Sequence, residues 1–430
     1  MLIISSIYNR LRKNALYKDS FWAVFGNGIG NFLLLFSGII IARMLGKDLY
    51  GEYGMVKTTM FTMATFSTLA LGNSSTKFVA EYLQKDLSSV KSIIRTCIRI
   101  VLVFSMAMCV LLFVLSSVIA DFVKEPQLAL SFKFLGVIIV FRALNTLGAG
   151  ILGGLKDFKQ VGVNNMIAGS TMLVLCIPMT NFYSLNGAYI SLLSSQVCLC
   201  ILNMYFVYKL QKPIKDYSSE KYGKMLLAFT FPFALNELIY TFTAWGNNLF
   251  ITKYATLGDL GILTACMQWN SIVLFMPGLL ANVILSYLST SATSDGHEHQ
   301  FILKRMLVIN LISTLIPLFI VMFFSKYITS YYGESFNGMN VVLLVAILGT
   351  VFTCLSRVFD SNLMSEGRRW TAFFICSIIY IIQFILTIVI LKLTDGQYAA
   401  MNMAILSVVM SVLMLLLYVI EYRIRKLQNA

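Results

Sequence analysis

The chain has 430 residues, of which 58% are hydrophobic and only 12% charged; its mean hydropathy is +0.80 and its formal net charge +14. Soluble domains run nearer half apolar and a quarter charged, so this composition excludes a globule that faces water on all sides. The basic surplus does not call for nucleic acid, because bilayer-spanning proteins concentrate Lys and Arg in their cytoplasmic loops.

In chain order, a basic N-terminus (Arg10, Arg12, Lys13, Lys18) precedes an apolar run of about 22 residues with no small-residue cleavage site after it. That pattern reads as a retained first span and not as a signal peptide. Crossing roughly 30 Å of hydrocarbon takes about 20 apolar residues. Such runs are predicted near 20–42, 55–74, 98–120, 132–153, 163–182, 186–208, 226–252, 262–289, 306–325, 338–360, 370–392 and 398–420. The second and fourth are the least hydropathic and are rich in Gly, Thr, Ser or Asn, which suits helices facing protein or a cavity. With both termini placed in the cytoplasm, 23 of the 33 basic residues fall inside and 8 outside, among them Lys57; Arg142 and Arg357 fall within spans. The positive-inside rule therefore favours this topology and an even number of spans. No loop is large enough to fold as a domain, so the helices must perform the function.

The chain repeats itself at an offset of about 210 residues. Ile39-Ile40-Ile41-Ala42-Arg43 leads to Gly51, and Leu249-Phe250-Ile251-Thr252-Lys253 leads to Gly261. Leu152-Gly153-Gly154-Leu155-Lys156 ends the fourth span, and Leu363 to Arg369 follows the tenth. Six spans separate the copies, so the halves share one orientation, as in transporters built from parallel repeats. The expected fold class is an all-α integral membrane protein of about twelve transmembrane helices in two parallel six-helix halves. Residues 1–208 form the N-terminal bundle, 209–225 a basic cytoplasmic linker and 226–430 the C-terminal bundle.

Ala42-Arg43-Met44-Leu45-Gly46 through Tyr50-Gly51-Glu52-Tyr53-Gly54 resembles the A-R-x-L-G-x-x-x-Y-G-x-Y signature of the Wzx polysaccharide flippases, with Arg43, Gly46, Tyr50 and Gly51 as its motif residues. Lys77-Phe78-Val79-Ala80-Glu81 and Asp259-Leu260-Gly261-Ile262-Leu263-Thr264-Ala265 are also similar to that family, although Leu263 stands where a Tyr is common. The resemblance covers essentially the whole chain in length and layout. It implies membership of the multidrug/oligosaccharidyl-lipid/polysaccharide exporter group and a MATE-like V-shaped pair of bundles working by alternating access. It further implies an undecaprenyl-pyrophosphate-linked O-antigen or similar oligosaccharide as substrate, in a bacterial inner membrane. Partners would be that substrate and the membrane lipids, with a polysaccharide polymerase and a chain-length regulator as further candidates, and no nucleic acid.

A charge at mid-bilayer depth costs a few kcal/mol or more, so residues that survive there are functional candidates. Four qualify: Arg142, Glu237, Arg357 and Asp360. Arg142 has no acid three or four residues away, and its fork of donors matches a phosphate. A structural partner on another helix is the competing reading. Arg357 and Asp360, three apart, can pair locally or face a cavity. Glu237 follows Pro232, which can break the helix, and a carboxylate there suits an H⁺ or Na⁺ coupling site or simply a bond to a neighbouring helix. Asn27, Asn31, Asn145, Asn247 and Asn248 are sugar-contact candidates or interhelical hydrogen bonds. The pairs Gly26/Gly30 and Gly150/Gly154 have close-packing spacing. His297 and His299 are expected to be solvated in a loop, and the eight cysteines to be free thiols.

No nucleophile–base set, metal-ligand cluster or phosphate loop is found, so no catalytic residue, metal or cofactor is assigned. Three rivals remain. A drug or cation exporter would want acids in its cavity, a lipid II flippase usually has two more spans, and an O-antigen polymerase would carry a large outer loop.

Overall fold

The computed structural model describes residues 2–212, 222–291 and 296–428, with side chains from residue 25 to 427 except at 84, 232–233, 281–283, 285–286 and 289–297. Residues 213–221, the middle of the expected linker, lie outside them, as do the side chains of Pro232 and His297. Twelve α-helices and one short 3₁₀ turn, Glu334–Phe336, make up the described secondary structure. The helices are α1 (Leu2–Thr68), α2 (Leu71–Lys85), α3 (Leu87–Phe122), α4 (Leu128–Gly154), α5 (Phe158–Gln211) and α6 (Gly223–Tyr254). They continue as α7 (Leu257–Val273), α8 (Phe275–Ser291), α9 (Gly296–Tyr332), α10 (Met339–Ser365), α11 (Arg369–Leu393) and α12 (Ala399–Gln428).

Helix and span are not the same unit here. Eight described helices are long and apolar enough to cross a membrane. Two of them, at 44 and 54 residues, are far longer than one crossing needs. Each contains a break: Gly46 in α1 (φ 72°, ψ 172°) and Ser184 in α5 (φ 50°, ψ −127°). Each therefore supplies two spans. Helix α6 adds another, in two pieces bent by 59° at residues 232–233, where the sequence places Pro232. The twelfth is the pair α7 and α8, 17 residues each, joined at Leu274. Among the described residues the protein is thus an all-α multi-pass membrane protein whose helices supply twelve spans in two six-helix halves. Its outside is apolar: Val103, Val110, Val114 and Val118 form a stripe along α3, each more than 60% exposed, which only a lipid solvent tolerates over such a length. In α4 the most apolar stretch is 56% buried, against 17% in α3, as expected for a helix that faces protein.

The chain forms two compact units, Met1–Met44 with Val56–Thr241, and Leu45–Met55 with Phe242–Ala430. In the first, α2, α3 and α4 pack around Leu71, Val79, Ile93, Ile94, Leu147 and Ile151, joined by Tyr222 and Leu226. Asp86 caps α3, accepting from the Ser88 amide (3.1 Å), the Ser88 hydroxyl (2.6 Å) and the Ser89 hydroxyl. The hydroxyl bonds of Ser88 and then Ser89 hold its carboxyl below the usual carboxylate range. The small-residue pairs do what their spacing suggests. A Cβ at Gly26 would reach within 2.6 Å of Gly162, and one at Gly30 within 2.8 Å of Asn165, so α1 lies directly on α5. A Cβ at Gly150 would overlap the Gly72 carbonyl, which brings α4 against α2.

The second unit holds the signature segment. Tyr50 and Tyr53 are buried and stacked (centroids 5.9 Å apart), and Tyr50 meets the edge of Phe336 at 6.2 Å. A Cβ on Gly51 would overlap the carbonyl oxygen of Leu257, and a Cβ on Gly261 would overlap that of Lys47. Each glycine thus sits on the carbonyl four residues before the other. Gly46 supplies the left-handed residue at the break just before this contact, a conformation that L side chains rarely adopt. The sequence repeat at offset 210 is therefore a physical contact, with two-fold character.

His299 is not left to solvent. Its Nε2 lies 2.8 Å from Asn362 Oδ1 and 3.5 Å from Glu366 Oε1. Glu366 also pairs with Arg425, which reaches Glu421 at 3.7 Å, and Arg368 approaches Glu421 at 3.4 Å. These bonds tie the start of α9 and the ends of α10 and α12 together.

Candidate functional site

Helix α1 stops at Thr68 and α2 starts at Leu71, with Leu69 (φ 45°) and Ala70 (φ 57°) left-handed between them. Non-glycine residues pay a steric penalty there, and such backbone clusters at functional sites. The break opens a pocket of about 230 Å³ inside the first unit. One wall is a stripe of α1, Phe61, Ala64, Thr65 and Thr68, at helical spacing. Ala70, Gly72 and Asn73 form the end, and Arg142 and Thr146 of α4 with Glu237 of α6 complete it. Gly72 makes this possible, because a Cβ there would press on Thr146 at 3.2 Å and drive α4 away from the break.

Arg142 lies over the ring of Phe61, its guanidinium carbon 4.6 Å from the centroid. None of the ion pairs among the described residues involves Arg142 or Glu237, although both line the pocket. Lys57, one turn before Phe61 on the same stripe, is close enough for its charge to act on Arg142. Its assignment to an outer loop is therefore corrected: it sits inside α1, whose span continues to Thr68. The acid that shares the pocket with Arg142 is Glu237, delivered by α6. Two cations and one carboxylate leave the region positive, with the amide of Asn73 beside it, while the hydroxyls of Thr65, Thr68 and Thr146 donate to the main-chain O of Phe61, Thr65 and Arg142. Such a set suits a phosphorylated group.

The remaining candidates lie elsewhere. Asn145 turns away from the pocket and is buried, donating to the main-chain O and the Oε1 of Gln196, both at 3.0 Å. Asn27 accepts from Asn165, and Asn31 is exposed on α1. Asn247 lies on α6 in the second unit, its Oδ1 buried without a hydrogen-bond partner among the described residues. Arg357 and Asp360 also belong to the second unit and do not pair with each other among the described ion pairs. Asp360 instead accepts from the Tyr418 hydroxyl at 2.8 Å, while Arg357 is exposed, its Nη1 3.8 Å from where a Gly278 Cβ would stand. Of the motif residues, Gly46, Tyr50 and Gly51 are packing elements of the second unit, and Arg43 is exposed.

Residues 16–290 match the family described as polysaccharide biosynthesis protein, which is more than half of the chain. The chain belongs to that family. It is 22% identical over 375 residues to a Shigella flexneri protein described provisionally as an O-antigen transporter, covering 84% of this chain and 88% of that one. Its fold is similar to that of a multidrug resistance MATE family transporter of the MOP superfamily, solved in an inward-facing conformation (TM-score 0.80, 14% identity, 94% of this chain and 98% of that one). It is likewise similar to the lipid II flippase MurJ in its inward closed conformation (TM-score 0.74, 15% identity, 93% and 87%).

Proposed function

We propose that the protein is a flippase that moves an undecaprenyl-pyrophosphate-linked oligosaccharide, an O-antigen or similar repeat unit, from the cytoplasmic to the periplasmic face of a bacterial inner membrane. Alternating access driven by an ion gradient would move it, with both termini in the cytoplasm. The observation behind this reading is Arg142 in a membrane-embedded pocket, held over the ring of Phe61 with no ion pair to a carboxylate among the described residues, and with Lys57 one turn before Phe61 on α1. A pyrophosphate cannot cross hydrocarbon unaided, and desolvated cations held open to a cavity supply what it loses in leaving water. The family match and the Shigella flexneri relative support the same direction. Glu237, in the same pocket, is the candidate for proton or Na⁺ coupling, and an anionic headgroup arriving at Arg142 would be felt by it directly.

The test is complementation of a deletion strain. Arg142→Ala is expected to abolish surface polysaccharide while the protein still inserts at normal abundance, and Arg142→Lys to restore part of it. Full export by the Ala variant would sink the assignment.

A further inference from the structure

An arginine that must bind an anion faces a conflict. To be held in a low-dielectric setting it needs a partner, yet a carboxylate partner would occupy its donors and cancel its charge. Arg142 resolves this in an unusual way for a membrane-embedded cation: the contact that fixes its guanidinium is the face of Phe61, at 4.6 Å, and none of the described ion pairs includes it. A ring face attracts the cation through its quadrupole and uses none of the N–H donors, which stay in the guanidinium plane and point outward. Phe61 itself is 41% exposed while lining the pocket, so it is not simply filling core. It stands one turn from Lys57 and one turn from Thr65 on a single stripe of α1, which places the ring between the second cation and the hydroxyl wall. The carboxylate within the pocket, Glu237, contributes to the lining without closing onto Arg142.

We infer that Phe61 is a positioning residue of the anion site: its ring holds Arg142 in place, at full charge and with its donors free for a phosphate. This rests on the reading of the pocket as a phosphate site. The probe is inorganic pyrophosphate, titrated calorimetrically into the purified full-length protein in lipid nanodiscs. Phe61→Met, apolar and similar in size but lacking a ring face, is expected to weaken binding on the order of tenfold. Phe61→Trp, with a stronger ring face, is expected to restore wild-type affinity. In an Arg142→Ala background, where binding is already lost to the residual level, Phe61→Met should cause no further loss, because the two act as one unit. A purely structural role for Phe61 would give independent, additive losses and no rescue by Trp, and either result overturns the inference. Wild-type pyrophosphate binding by Arg142→Ala would instead remove the site itself. Intact Arg142 dependence with unaltered affinity in Phe61→Met would remove the inference alone.

Discussion

At the scale of single residues, direction decided more than identity. Arg142 and Asn145 are three apart on α4, yet one enters a pocket and the other is buried against Gln196. Three residues along a helix leave two side chains only about 60° apart on one face, so the packing boundary between pocket and α5 runs between close neighbours, and spacing alone does not show it. Lys57 shows the same limit from the other direction. A lone lysine near the predicted edge of a span looks like a loop residue, and only the break at Gly46, which lets α1 continue to Thr68, places it beside Arg142. Its charge should therefore matter to transport. Lys57→Met is expected to lower polysaccharide export several-fold with normal membrane abundance, since it removes a cation one turn from the pocket wall at Phe61; Lys57→Arg should retain most of it. Export unchanged in the Met variant would mean that Lys57 faces no ligand.

At the scale of elements, the legible part was whatever left a periodic trace. Twelve apolar runs, the glycine pairs and the offset of 210 residues could all be read because spacing alone encodes them. The Gly51–Gly261 contact is the clearest case: two glycines matched by offset turn out to rest on each other's preceding turn. Local chemistry without a period was illegible. Nothing in Leu69-Ala70 announces a left-handed break inside the second apolar run, whereas the break at Ser184 falls in the gap between the runs 163–182 and 186–208. His299 looked like a loop histidine because its partners, Asn362 and Glu366, are more than sixty residues away in the chain. The glycine contact carries a quantitative expectation. Gly51→Ala or Gly261→Ala must push two backbones apart and should destabilise the protein by about 1–3 kcal/mol or more. Gly153→Ala, whose nearest neighbour would stand 3.6 Å away, should be nearly neutral. Thermal unfolding in detergent separates the two cases, and equal melting temperatures for Gly51→Ala and Gly153→Ala would contradict the packing described.

At the scale of the whole molecule, composition determined the solvent, charge counting suggested the orientation, and the fold placed a cationic pocket within the first unit. The pocket also unites two roles that the sequence kept apart, because Arg142 and Glu237 come from the fourth and seventh spans yet line one volume. If Glu237 links an ion gradient to the headgroup at Arg142, Glu237→Gln should still bind substrate but move it at a rate indifferent to an imposed pH or Na⁺ gradient; a wild-type response in everted vesicles would exclude it as the coupling group. The central claim is reached most directly in the native host. The gene is deleted, and the undecaprenyl-linked repeat units are then assigned to one face of the membrane or the other. The flippase reading predicts loss of surface polymer with intact units trapped on the cytoplasmic face. Units that still reach the periplasmic face, unpolymerised, would contradict it.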